Sequence, residues 1–336
     1  MRSSVALKAL SFAALFCVVS SAGLISQTPS PDSSGAKFRS HVYAWFPNNE
    51  IRRLSPGPEA SVTSAMPLWG PFGQPHIHPD GTAVVFWGGV TDRPRVWLYE
   101  FGIGEARPVT SAHVGSFEPS FDWQGRRIAF AADVIPSEPI ATPPAGGSWR
   151  RSNSNLFVAT TGGANPHQIT SGSFQDARPA FSPDGREIVF LSNRDGKGRG
   201  LYIVSADGSG EPRRVLPEYG VARPWFSPDG RFIYFTFYGT DVAEEHIRVW
   251  RVPAGGGPKE PITPDNLPNS QGTFVDFDSV HLWFHSAPRG AFRFNLQTRE
   301  LVPMTPPGFS AAWHVSRSRN GIVAFDSDQL DPTARP

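Results

Sequence analysis

Short apolar runs of about five residues recur along the chain, each entered through a turn-forming cluster rather than spaced for a helix. Ala177-Arg178-Pro179-Ala180-Phe181-Ser182-Pro183-Asp184-Gly185-Arg186 returns as Ala222-Arg223-Pro224-Trp225-Phe226-Ser227-Pro228-Asp229-Gly230-Arg231, with Gly185 and Gly230 45 residues apart. Apolar strands follow over 187–191 and 232–237. Looser copies are Gln74-Pro75-His76-Ile77-His78-Pro79-Asp80-Gly81 before 83–87, and Glu118-Pro119-Ser120-Phe121-Asp122-Trp123-Gln124-Gly125 before 127–131. A degraded fifth copy spans 272–276 and leads into 280–285. A sixth joins Ala312-Trp313-His314-Val315 to the turn Asn320-Gly321 and a strand over 322–325.

Each unit has a readable logic. Pro presets φ and Gly accepts positive φ, so the chain reverses at Pro-Asp-Gly into a second strand. A third strand follows over 199–205 or 246–252. Asp207-Gly208 or Gly255-Gly256-Gly257 turns it into a short edge strand, 212–216 or 258–263. Four antiparallel strands in about 45 residues make a propeller blade.

These repeats resemble the TolB-like, PD40 (WD40-like) β-propeller family, whose blades carry the same P-x-F-S-P-D-G core. The resemblance implies an all-β fold: a six-bladed β-propeller of four-stranded antiparallel blades, closed by a blade shared between the N- and C-termini. Six copies match that count. The last copy supplies two strands, and 41–46 and 50–55, around Pro47-Asn48-Asn49, supply the outer pair. The expected organisation is a signal peptide (1–22), a Ser- and Pro-rich linker (23–40), the propeller (41–328) and a tail (329–336). The family's namesake carries an α/β domain ahead of its propeller. Only the linker stands there in this chain, so a direct share in the namesake's cell-envelope role is not expected.

Composition narrows the classes. With 33 Gly and 34 Pro in 336 residues a helical bundle is excluded, and 41 aromatic residues (Phe, Trp and Tyr) exclude a disordered chain. The balance of 31 basic and 30 acidic groups gives no field for nucleic acid. Arg2 and Lys8, the apolar run 9–19 and Ser20-Ser21-Ala22 read as an export signal, so the protein is expected in the periplasm or secreted. The wider apolar stretch 5–25 leaves an uncleaved anchor as the alternative, and membrane contact is expected through this segment alone. Cys17 is the one cysteine and follows Leu15-Phe16, unlike an acylated lipoprotein cysteine. Cleavage would leave no disulfide and no thiolate.

Motifs for chemistry are sparse. There is no G-x-S-x-G elbow, Walker A loop, H-E-x-x-H or EF-hand. Gly196-Lys197-Gly198-Arg199-Gly200 lies in a hairpin with no helix dipole behind it. Some serine peptidases carry similar propellers before an α/β-hydrolase domain; none follows here, so peptidase activity is not expected. His281 and His285 are about 13 Å apart along a strand and cannot share an ion. His76 and His78 share a face about 6.6 Å apart, but His78 stands where Ser182 and Ser227 cap their turns. Asp80, Asp184 and Asp229 read as turn acceptors, and Trp123, Trp225, Trp250, Trp283 and Trp313 as inter-blade packing. A long irregular insertion, 133–155, carries Trp149-Arg150-Arg151.

In a propeller the innermost strand starts on the face that bears the loop between second and third strands, so the insertion overhangs the channel mouth. The residue before each blade's Pro, or its equivalent, lies near that mouth: Gln74, Glu118, Arg178, Arg223, Gln271 and Ala311. Arg178 and Arg223 come from neighbouring blades, where two guanidinium forks can converge on one carboxylate, with Arg150 and Arg151 assisting. The structural alternative pairs both arginines with local acids such as Asp176 and Glu118. The expectation is an exported, non-catalytic propeller, without cofactor, that binds a protein, peptide or small anionic ligand on this face. The alternative is a metal-dependent hydrolase or lyase, its ion held in the channel by His76, His314 and acids.

Overall fold

The computed structural model describes residues 41–54, 72–88, 94–111, 115–133, 153–163, 166–238, 247–265, 267, 270–286, 290–309 and 312–327. The expected leader, linker and tail, Ala311, and most of the insertion with Arg150 and Arg151 lie outside the described residues. Among the described residues no helix is long and apolar enough to cross a membrane.

Twenty-four strands form six antiparallel sheets of four among the described residues, one sheet for each sequence repeat. The innermost strands are Phe72–Ile77, Ser116–Phe121, Ala177–Phe181, Val221–Phe226, Ser270–Val275 and Trp313–Arg317, which define blades 1 to 6. Each packs on the next and the last returns to the first, closing a ring. Blade 6 joins the two ends of the chain: Ile51–Arg53, His41–Trp45, Val323–Ser327 and Trp313–Arg317 lie in that order. His41 pairs with Ser327 and the register runs to Trp45 opposite Val323. Pairing of this kind removes the open edge that would recruit another strand.

The turns form for the reasons the repeat implies. Ser182 Oγ donates to Asp184 at 2.7 Å, while the backbone N–H groups of Arg186 and Glu187 donate to Asp184 and Ser182 at 3.0 and 2.9 Å. Ser227, Asp229, Arg231 and Phe232 repeat this arrangement in blade 4. In blade 1, His78 caps instead: its Nδ1 accepts from Asp80 N–H at 3.1 Å, and its Nε2 lies 3.1 Å from the Gly125 carbonyl of blade 2. Asp184, Asp229 and His78 are therefore turn elements, whereas the Asp80 carboxylate accepts from Arg319 of blade 6 at 3.0 Å.

Between the blades runs a sixfold wall of phenylalanine. Phe86, Phe130, Phe190, Phe235, Phe284 and Phe325 occupy equivalent positions on the six second strands, and all are buried. Each such burial contributes roughly 2–3 kcal/mol, so the ring is held mainly by packing rather than by ion pairs.

Candidate functional site

The channel wall is shaped by one irregularity repeated six times. Every innermost strand slips register against its second strand, between Gly73 and His76, Phe117 and Ser120, Ala177 and Ala180, Ala222 and Trp225, Gln271 and Phe274, and Trp313 and Ser316. Within each slip one residue takes a left-handed φ: Gln74 (51°), Glu118 (53°), Arg178 (53°), Arg223 (51°), Gly272 (75°) and His314 (49°). A bulge bends its strand and re-aims a side chain, here toward the axis. Five of the six are not glycine, a conformation that costs about 1–3 kcal/mol each and persists only where the surroundings impose it.

Gln74, Glu118, Arg178 and Arg223 thus line one pocket of the channel. In blades 5 and 6 the equivalent residues are Gly272 and His314, not Gln271 and Ala311. Gln271 is still in regular pairing, opposite His285, and accepts a hydrogen bond from Tyr238 Oη at 3.0 Å. The correction has a simple cause. Thr273 and Val315 replace the proline that marks the bulge elsewhere.

The two arginines have different surroundings. Glu118 accepts the Arg178 backbone N–H at 3.1 Å and lies 3.5 Å from its Nε, with both side chains largely buried. Arg223 makes no hydrogen bond or ion pair through its guanidinium among the described residues, although Thr273 Oγ1 donates to its carbonyl. Burial, and secondly the charge of Arg178, lower Arg223 to about 10, so it remains a cation at neutral pH. Asp176 is taken elsewhere: Arg194 Nη2 donates to its two oxygens at 3.2 and 3.1 Å. Local pairing therefore holds for Arg178 and not for Arg223.

Three histidines line the same space. His314 Nδ1 lies 2.7 and 3.0 Å from the Asp326 oxygens. Burial pushes Asp326 up to about 7, and burial together with Arg223 and Arg178 holds His314 well below its ordinary value. Both changes disfavour the charged pair. His285 is also held low, by burial and then by Arg223. Its ring stands 5.8 Å from that of His314, and a Cβ at position 272 would come within 3.0 Å of its Nδ1. Glycine at 272 thus serves both the left-handed turn and the fit of this imidazole.

His76 closes the channel from below. Its Nδ1 accepts the Phe121 N–H at 3.0 Å, which places the ring proton on Nε2, and burial lowers it to about 3. Its ring meets that of Trp225, from the opposite blade, at 4.9 Å, with Phe274 at 6.2 Å. Trp123 and Phe277 extend this aromatic layer, 5.9 Å from Trp225 and Phe274 respectively. Trp123, Trp225 and Trp283 are buried as inter-blade packing requires, whereas Trp250 and Trp313 are half-buried. The result is an open pocket of about 110 Å³ whose lining includes the arginines, Glu118, the three histidines and residues of this aromatic floor.

The donor set does not suit a metal ion. Among the described residues no three of His, Cys, Asp and Glu gather as an ion requires. His76 carries its ring proton on Nε2, and His285 and His314 sit in the positive field of Arg178 and Arg223, which opposes a cation.

Comparison with known proteins places the fold. A family model described as dipeptidyl peptidase IV (DPP IV) N-terminal region matches residues 147–244, rather than one specific to the PD40 repeat. An uncharacterized peptidase, YuxL, of Bacillus subtilis is 34% identical over 105 residues, 31% of this chain and 14% of that protein. The Tol-Pal system protein TolB of Bordetella pertussis is 42% identical over 52 residues, 16% of this chain and 12% of that protein. The chain thus matches less than a sixth of the length of these curated relatives. Among solved structures, a protein described as a candidate TolB from Agrobacterium tumefaciens superposes with TM-score 0.62 at 17% identity, over 87% of this chain and 98% of that one. An oligogalacturonate lyase from Vibrio parahaemolyticus gives 0.52 at 11% identity, over 82% and 80%. An oligogalacturonate lyase in complex with manganese gives 0.52 at 12%, over 84% and 80%. At these identities the likeness shows the fold alone, a TolB-like six-bladed propeller.

Proposed function

We propose that this chain is an exported, non-catalytic binding propeller whose channel mouth captures an anionic group of a protein, peptide or small ligand through Arg178 and Arg223. One observation carries the reading: Arg223 places a guanidinium in the channel with no hydrogen bond or ion pair to an acid among the described residues, Asp326 and Glu118 acting on it only through space. A sequestered cation without a partner is costly, and an arriving carboxylate or phosphate offsets that cost through paired N–H donors. Arg178, steadied by Glu118, supplies the neighbouring fork. Export rests on the signal-like segment 1–22, and the TolB likeness is in keeping with it. Arg150 and Arg151, on the insertion, are proposed to assist at the mouth. The lyase neighbours favour catalysis by fold analogy only, and the channel residues do not fit their metal.

Pull-down from the exported fraction supplies the test. The double variant Arg178→Ala plus Arg223→Ala, folded by circular dichroism, should lose most of the binding and its salt dependence. Undiminished affinity in that variant overturns the reading.

A further inference from the structure

We propose that the pocket's own ligand is a small hydroxy- or oxo-carboxylic acid, its carboxylate on Arg223 and a second oxygen accepting the Nε2–H of His76. This rests on the anion-capture reading and narrows it to one ligand class. Two features of the pocket carry it: its closed floor and its surplus of nitrogen donors.

The floor limits size. His76 and Trp225 touch across the axis, so nothing threads through the ring at that level. The pocket's volume of about 110 Å³ is well below the roughly 300–1,000 Å³ typical of sites for larger ligands. A few heavy atoms fit. A folded partner does not.

The lining dictates chemistry. Five buried side-chain nitrogens of pocket residues have no hydrogen-bond partner: His76 Nε2, Arg178 Nε, Trp225 Nε1, His285 Nδ1 and His314 Nε2. Buried polar atoms are nearly always bonded, so five together along one cavity are exceptional. Arg178, Trp225 and His76 offer N–H groups here, the last because Phe121 fixes its tautomer. Donors of this kind reward a ligand rich in oxygen acceptors. Charge points the same way: Arg178 and Arg223 face one paired carboxylate, Glu118, while Asp326 is engaged by His314. With His314 neutral and Asp326 raised to about 7, the two arginines outweigh the acids whenever Asp326 holds its proton, which favours an added anion.

The arrangement has depth. Arg223 sits at the bulge, and His76 lies two residues beyond the equivalent bulge residue of its own blade. A carboxylate held by the arginines therefore directs the rest of the molecule toward the floor. There an oxygen on the adjacent carbon chain finds the imidazole N–H, and a methylene does not. His76 is a specificity-determining residue in this reading.

Calorimetric titration of the whole exported protein with propionate, lactate and pyruvate at matched ionic strength tests it. Saturable one-to-one binding of lactate or pyruvate, about tenfold tighter than propionate, is expected. Arg223→Ala should abolish binding of all three. His76→Phe should erase the preference for lactate and pyruvate over propionate. His76→Gln, which restores a donor and tolerates a failure of the phenylalanine variant to fold, should recover it. Absence of saturable binding by any of the three acids, or a preference that survives in a folded His76→Phe protein, overturns the proposal. Capture of an anionic polypeptide that still depends on Arg178 and Arg223, without acid binding, overturns this inference and leaves the broader function standing. Loss of both overturns both.

Discussion

His76 of blade 1 and Trp225 of blade 4 meet across the axis of the ring, their ring centroids 4.9 Å apart. This contact turns a through-channel into a pocket with one mouth. Removing the indole with Trp225→Ala takes away one of the two rings that span the axis. A loss of about 3–5 kcal/mol is expected in urea unfolding, the range for deleting a buried aromatic side chain. An unchanged unfolding midpoint contradicts a packing role for the floor.

Glu118 balances the arginines. Glu118→Gln keeps the shape and an acceptor for the Arg178 N–H but leaves two cations opposed. Stability should fall by about 2–4 kcal/mol, while affinity for anions rises several-fold, most at low salt. Binding curves at two ionic strengths and one unfolding curve check both. A fall in anion affinity runs against the expectation.

Closure depends on the five residue pairs between His41–Trp45 and Val323–Ser327. Deleting residues 40–55 exposes the closing strand and opens the buried faces of Val42 and Tyr43 partners. The truncated protein should aggregate or melt well below the intact one, read by light scattering and a thermal scan. Equal melting refutes the closure role.

Acid should loosen the fold through its neutral histidines. His76 titrates at about 3 in the fold against 6.5 ordinarily, so the unfolded chain binds the proton first as pH falls. Stability present above 6.5 is then lost toward pH 3, roughly 3 kcal/mol of it by pH 4 from His76 alone. His285 and His314 act in the same direction. Asp326 has the opposite sign: raised from 3.8 to about 7, its contribution is full below 3.8 and disappears as pH rises through 7. Unfolding free energy should rise with pH through the acid range and level off above about 7, and His76→Phe should flatten the acid limb. Identical acid limbs in parent and variant would falsify the assignment.

Much of the architecture was legible because Pro-Asp-Gly turns write backbone geometry directly into residue choice. The decamers around Pro179 and Pro224 located two blades, and the spacing located the rest. The bulge was less visible. Gln74, Glu118, Arg178 and Arg223 precede proline, where an extended backbone is ordinary, yet ring packing holds them left-handed. Where Thr273 and Val315 replace that proline, counting along the strand lands on Gln271 or Ala311 instead of Gly272 or His314. His76 was hidden by its neighbour. In sequence it looks paired with His78, and the contact with Trp225, 149 positions away, separates their roles.

Arg223 as an anion receptor is tested most directly by arginine side-chain nuclear magnetic resonance during a titration with acetate. The Arg223 Nε–H signal should move along a saturating curve, while that of Arg186, whose side chain is 86% exposed in the turn before the second strand of blade 3, should drift slightly and linearly. An Arg223 signal that stays put, or follows the same shallow line as Arg186, contradicts anion capture in the channel.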